Sequence, residues 1–433
     1  MEEILNLALK QCEAAEVFSY SDEEIPVEFE SNRLKNIESN QSTVIALRII
    51  KDGRVGYGVT TNSEEPEKLV TMAVETAEFG MKARFELPSP QQYLPVKTYD
   101  AAIEKITIED MVKLGQELID TVTKASPEII CDAGISRHSG NITILNSNGL
   151  QAKSYSGLFS FGIGGTLVRG TDMLFVGDGK YSSHPVYSGK DVVSNVLRQL
   201  EWAKDQTAIS SKTMPVVFTP HGVENALIAP LVSAFNGKMV LEGASPLKGK
   251  LGTKLFSPDL SIIDDATSDF EAASSPFDDE GIATRAMPLI NQGTVENFYY
   301  DLHTAALAGT VSTGNGNRSG GSLPSPGINA LIIKGGDTSF EEMISDIKEG
   351  LIIEQLMGGE QGNILGGDFS GNVLLGYKIE DGKIAGRVKN TMIHGNVYKI
   401  LKDIAAIGND GRWVGSSLHT PSIYCHEISV ASK

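Results

Sequence analysis

Apolar and polar residues take turns along Ile25-Pro26-Val27-Glu28-Phe29-Glu30, the period of a half-buried strand. Val44 to Ile50 and Val55 to Thr60 read as two further strands. Between them, Lys51-Asp52-Gly53-Arg54 carries the Asp-Gly pair of a tight hairpin turn. Helical spacing flanks this group. One amphipathic helix is expected near residues 2–14, and another from Pro66 to Lys82, with Pro66 near its first turn. The order then recurs. Thr107 is an expected N-cap for a helix running to about Thr123. Strands are expected from Ile129 to Arg137, Asn141 to Asn146 and Ala152 to Val168, followed by a helix from Asp191 to Gln206.

Two segments break the pattern. Leu87 to Pro95 is proline-rich, and Ile209 to Pro215 reads as a second linker. They divide the chain into expected units at 1–90, 100–210 and 213–433. The fold class expected is α+β. The N-terminal region holds two similar helix and antiparallel-strand modules, without a repeat at the level of residues. The C-terminal domain is glycine-rich and mainly antiparallel, and its glycines suit a curved, strongly twisted sheet. Within it, residues 222–236 are helical in pattern, with Pro230 expected either to remove a hydrogen bond and kink the helix or to lie near a helix end. A helix from Ser339 to Ile347 precedes the apolar run Gly350 to Leu356.

Two motifs carry candidate chemistry. Phe277-Asp278-Asp279-Glu280-Gly281 places three carboxylates in a row. Adjacent acids repel one another, so an ordered site needs donors or a cation such as Arg318 or Arg285 to hold them. Some thirty residues on, Thr313-Gly314-Asn315-Gly316-Asn317-Arg318 supplies backbone N–H groups and residues that tolerate positive φ. The substrate-cleft candidates are therefore Asp278, Asp279, Glu280, Gly281, Asn315, Gly316, Asn317 and Arg318. The competing reading is a helix start, where acids suit the dipole, and an ordinary turn.

Those motifs, with several later ones in a fixed order, resemble the TldD/PmbA family of two-subunit peptidases, also called modulators of DNA gyrase. Gly367-Asp368-Phe369-Ser370-Gly371 and Gly376 to Ile384 are similar to the family's GDFS and GYxIEDGxI segments. Asn390 to Asn396, Ile407 to Asp410 and Thr420 to Ile423 are similar to its late strands and turns. Leu47 to Tyr57 resembles its RVxxDGRxGY hairpin. The resemblance implies a C-terminal sheet around a cleft.

Within that family, TldD-type subunits resemble zinc peptidases, with a helix reading HExxxH and a cysteine near the C-terminus. PmbA-type (TldE) subunits share the fold without those ligands. Here the resemblance puts Ala229, Pro230 and Ala234 at the zinc-motif positions. None offers the His, Cys or carboxylate donor that Zn²⁺ needs. Cys425 lies in the strand-like run Ser422 to Ile428, without the family's glycine-rich context. No metal, no cofactor and no catalytic residue are expected. A rival metal site of His221, Glu224 and a C-terminal histidine, His419 or His426, matches no established zinc spacing.

The resemblance implies the metal-free subunit of a peptidase pair, positioning unfolded peptide for a zinc-bearing TldD-type partner, and a homodimer when that partner is absent. The alternatives are a stand-alone regulatory protein with a decayed site, to which the gyrase link belongs, and an active metallopeptidase with a non-standard metal site. A formal charge of −18 over 433 residues speaks against nucleic-acid binding. Three dispersed cysteines fit a reducing compartment. The acidic start and the absence of any long apolar run predict a cytoplasmic chain with no membrane segment.

Overall fold

A computed structural model describes residues 1–359 and 362–433. The two N-terminal modules share one sheet. Its strands are β1 (Ala14–Glu30), β2 (Arg33–Ile37), β3 (Asn40–Lys51), β4 (Arg54–Thr60), β5 (Ile130–Asn146), β6 (Gln151–Arg169) and β7 (Asp172–Ser182). The order is β4-β3-β1-β5-β6-β7, with β2 paired to β1. The strand that joins the modules is β1, antiparallel to β3 on one side and β5 on the other.

Local chemistry sets the turns and helix ends. Asp52 and Gly53 both have positive φ, 49° and 68°, which the tight turn between β3 and β4 requires. Helix α1 (Glu2–Ala8) is shorter than its pattern, because the chain enters the sheet at Ala14, opposite Ile50. Helix α2 (Pro66–Ala77) has Pro66 in its first turn. It stops before Lys82 because the chain beyond it returns to the hairpin, where Val55 N–H donates to Met81 and Ala83 N–H to Gly53. In α3 (Ile108–Ala125) the Thr107 hydroxyl caps the Asp110 N–H, and Asp110 answers with its carboxylate. Helix α4 (Lys190–Trp202) follows β7.

Two differences from the sequence pattern share a cause. The expected break between Arg137 and Asn141 is absent, and β7 carries no apolar alternation across Gly177-Asp178-Gly179. Both stretches are polar, yet their main chains are laddered. Residues 137–141 pair with β1 and β6 together, and β7 pairs with β6 throughout. Neighbouring strands, not side-chain pattern, keep them extended.

Odd-numbered β1 residues Val17, Val27 and Phe29 are buried with the helices. From the other face, Phe18 meets Ala46, Ile144, Ala152 and Phe277 of the C-terminal half. Successive strand residues point to opposite faces, so helices pack on one side of the sheet while the C-terminal half meets the other side around Phe18.

That domain begins inside the second expected linker. Strand β8 (Lys212–Phe218) includes Pro215, which lacks an N–H. Its antiparallel neighbour bulges there, with the register slipping between Cys425 and Ile428. Strand β8 is parallel to Glu349–Met357 and antiparallel to Ile423–Ser432. The order runs Glu349–Met357, β8, Ile423–Ser432, Thr391–Asn396, Asp368–Glu380, and the last pairs back with the first. The sheet therefore closes on itself. Val216, Val217, Phe218, Leu351, Ile352 and Ile353 are fully buried on both faces, hence the unbroken apolar runs. The first linker, Leu87 to Pro95, has no regular structure but is pinned. Asn148 and Asn146 donate to the Leu87 and Pro88 carbonyls, and the Tyr93 hydroxyl donates to Gly281.

Glycine at position 56 lets α2 lie on β4. A Cβ there would sit 2.1 Å from the Ala73 carbonyl oxygen and 2.8 Å from Ala77 Cβ. Gly56→Ala is expected to destabilise the chain by about 1–3 kcal/mol, the usual range for overpacking, read as a lowered denaturation midpoint with an unchanged slope.

Candidate functional site

The two candidate motifs clasp each other. Asp278 Oδ1 accepts the N–H groups of Glu280 and Ile282, and Oδ2 accepts that of Gly316 at 2.7 Å. Asp279 donates its N–H to the Gly316 carbonyl, and its carboxylate accepts the Arg318 N–H. Gly281 and Gly314 both have positive φ, and a Cβ on Gly316 would fall 2.6 Å from Glu280 Oε2. Glycine is needed here for backbone shape and close approach.

Residues from the first sheet complete the clasp. Arg48 of β3 reaches Glu280 Oε1 at 2.6 Å and Glu16 Oε2 at 2.8 Å. Arg318 reaches the other Glu16 oxygen and the Asp279 carbonyl. The side chains of Arg48, Glu16, Glu280 and Arg318 are 3%, 0%, 0% and 1% exposed. Burial would lower the Arg48 pKa, but Glu16 and Glu280 outweigh it and raise it. Burial and the nearby Glu280 charge push the Asp278 carboxyl well up, against three backbone bonds that favour the anion. Asp279 is raised by burial, with Arg318 opposing. Next to the clasp, burial pushes Asp264 up to about 6, although Asn315 and the Ala330 and Asn329 N–H groups favour its charge.

The sequence expectation of donors around the three acids thus holds for backbone N–H groups, that of Arg318 included. The cation on the triplet is Arg48, at Glu280, while the Arg318 guanidinium pairs with Glu16 and Arg285 stays exposed. Of the cleft candidates, Asp278, Glu280, Gly281, Asn315 and Gly316 are buried, Asp279 and Asn317 are half-buried, and Arg318 buries its side chain while its main chain is partly exposed. None lines the large cleft described below. No helix starts at the acids; residues 277–283 form a turn. Glu16 and Arg48 escaped the sequence reading because nothing near them in the chain shows their partners, 232 residues away in the case of Arg48 and Glu280.

The helix that carries Ala229, Pro230 and Ala234 is irregular. Helix α5 (Pro220–Val223) leads into a widened π-turn at Glu224–Ile228, and α6 (Ala229–Phe235) follows. Pro230 has no N–H to give, and its ring needs room against the carbonyl four residues back; the wider turn supplies that room. Ala234 and Pro230 are buried, and Ala229 half-buried. Methyl and pyrrolidine carbons present no donor atom to a metal, so a zinc ion does not fit these positions. Among the described residues, no three His, Cys, Asp or Glu side chains gather as a metal-holding group. His426 is exposed, and Cys425 is buried in the barrel wall, where burial pushes its thiol up.

His221 and His419 do line a common cleft of about 510 Å³. It lies between β7 and α4 on one side and α5, Glu349–Met357 and Arg412–Val414 on the other. His221 Nε2 is 3.1 Å from Asp178 Oδ1, and Arg412 Nη2 spans both Asp178 oxygens at 2.7 and 3.0 Å. Asn195 also donates to Asp178. Burial opposes the Asp178 charge, but His221, Arg412 and Asn195 bring its carboxyl down to about 2. Deeper in the wall, Glu354 is 1% exposed; Arg198 Nη2 lies 3.7 Å and Gln199 Nε2 3.4 Å from its Oε1. Burial pushes its carboxyl up.

The PmbA/TldA metallopeptidase C-terminal domain model matches residues 211–432, and that family's domain 1 model matches residues 15–77. The chain belongs to the PmbA/TldD family. It is 27% identical over 435 residues to an uncharacterised protein of Methanocaldococcus jannaschii, covering 99% of each chain. It is 28% identical over 250 residues to the metalloprotease PmbA of Escherichia coli O157:H7, across 58% of this chain and 52% of that one. Its fold is that of TldE from Thermococcus kodakarensis, with a TM-score of 0.90, 23% identity and complete coverage of both chains.

Two outcomes test this geometry. Arg48→Met leaves Glu16 and Glu280 buried without their shared cation and is expected to cost about 3–5 kcal/mol, measured by chemical denaturation. Asp178 has its carboxyl lowered from 3.8 to about 2. Its contribution to stability is therefore full above the unfolded value and is lost as pH falls through the folded one. Asp178→Asn should lower the melting temperature near neutral pH, and the gap from the unchanged chain should close on acidification toward about pH 2.

Proposed function

We propose that this chain is the metal-free subunit of a two-chain peptidase of its family, holding unfolded peptide for a zinc-bearing TldD-type partner. The observation that carries this reading is the helix at 229–235. Its backbone keeps the irregular entry, while Ala229, Pro230 and Ala234 stand where the family resemblance puts zinc ligands and a base. A chain with no donor at those places cannot polarise a carbonyl or activate water there. The likeness in fold to TldE over the whole length agrees with that role. The buried clasp has a structural part: it fixes the N-terminal sheet against the C-terminal domain and leaves the peptide to other surfaces. Partnering would use an interface of the size stable complexes bury, on the order of 1,000 Å² or more.

Metal analysis and peptide cleavage test this directly. The isolated chain is expected to hold no stoichiometric zinc and to leave unfolded peptides uncut. Together with a zinc-loaded TldD-type subunit it should form a heterodimer and raise cleavage. About one tightly held zinc per chain, lost on His221→Ala, would overturn the reading in favour of a non-standard metal site.

A further inference from the structure

Three buried polar atoms that find no hydrogen-bond partner among the described residues belong to side chains lining one cleft. Arg198 Nε, Glu354 Oε2 and His419 Nδ1 are all unpaired, and all three residues line the space beside Asp178 and Arg412. The other ionic groups there are answered. Asp178 takes Arg412, His221 and Asn195; Asp191 takes Lys180; Asp410 takes the Ser422 N–H and hydroxyl. What the cleft leaves open is one acceptor, one donor and one ring nitrogen able to serve in either sense. Folded chains seldom keep such atoms unmet, and a ligand that supplies their complements recovers the loss.

The residual pattern is not that of a simple ion. A free anion would meet Glu354, and a free cation would meet Arg198. A group that presents N–H and C=O together satisfies both, and the peptide unit does so along its whole length. Trp413, packed edge-on against His419 with ring centroids 5.4 Å apart, and Phe340 add apolar lining for a side chain. The cleft volume, about 510 Å³, lies within the range of sites for small ligands. We infer that this cleft binds a short stretch of extended peptide through its main chain, with Glu354 Oε2 accepting a peptide N–H and Arg198 Nε donating to a peptide carbonyl. The ligand class rests on the peptidase-subunit reading; the site itself rests on the unpaired atoms.

The test uses the full chain and a short, uncharged peptide blocked at both ends, titrated calorimetrically. Blocking the ends leaves only main-chain amides and side chains to be recognised. The folded chain is expected to bind it, and Glu354→Gln to weaken binding about tenfold or more. In that variant the amide oxygen stays with the Arg198 and Gln199 donors, so the NH₂ group faces the cleft where an acceptor is needed. His419→Leu is the second variant, because it leaves the Glu354 and Arg198 contacts in place; it too should weaken binding. Thermal melts establish that each variant is folded. Equal affinity in both folded variants overturns the assignment. So does binding only of peptides with free ends, or displacement of the peptide by a simple polyol. The two readings fail separately. If the cleft assignment is wrong, the chain still stimulates a zinc partner and Glu354→Gln leaves the KM for peptide unmoved. If only the subunit reading is wrong, the blocked peptide binds here and is lost on Glu354→Gln, while no zinc partner gains activity.

Discussion

A buried guanidinium between two buried carboxylates holds this molecule together. Arg48 joins Glu16, its neighbour in the sheet, to Glu280 of the C-terminal half, and Arg318 returns from the glycine loop to Glu16. Charges this deep are tolerated only with partners and good geometry. The requirement passes along the chain. Glu280 is held in place by the Leu302 N–H, Asp278 and Asp279 by the loop at 314–318, and that loop by Asp264 through Asn315. Losing one member exposes the rest to unpaired burial, so the two halves are fixed in register by electrostatics as well as by the apolar contact of Phe18 with Phe277.

A second ionic seam crosses between the same halves elsewhere. Asp172 at the start of β7 takes Arg387 through both oxygens, with Lys389 beside it, and Asp178 takes Arg412 and His221. The seams differ in one respect. Around Glu280 each carboxylate oxygen has a donor. Around Glu354 one oxygen has none among the described residues, although that residue is as deeply buried. Both sites leave an arginine Nε without a partner among the described residues, Arg48 in the clasp and Arg198 in the cleft, but only the cleft at Asp178 leaves a carboxylate oxygen open as well.

The helix at 220–235 is irregular for a reason visible in this chain. A π-turn costs hydrogen-bond geometry and persists where something needs the wider spacing. In this chain the ring of Pro230 needs that room, and the Pro230 carbonyl is answered by the Tyr398 hydroxyl. The side chains along this irregular stretch, Ala229, Pro230 and Ala234, offer no atom that binds a metal.

Much was legible in the residues themselves. The Asp-Gly hairpin, Pro66 at a helix start, the Thr107 cap and the apolar runs at 216–218 and 351–353 are local, because turn geometry, capping and burial on both faces act within a few positions. The glycine loop and the acid triplet each showed that they would need the other's kind of group. Their burial, and the arginine and glutamate of β1 and β3 that complete them, were decided by tertiary structure. So were β7, the unbroken β5 and the start of β8 inside an apparent linker, since ladder partners supplied what their own patterns lacked. The cleft is the clearest case. Asp178, Arg198, His221, Glu354 and Arg412 are spread over more than half the chain, and no spacing between them is informative. Only the closing of the barrel against the N-terminal sheet brings them to one wall, where an unpaired oxygen acquires a meaning that its sequence position does not carry.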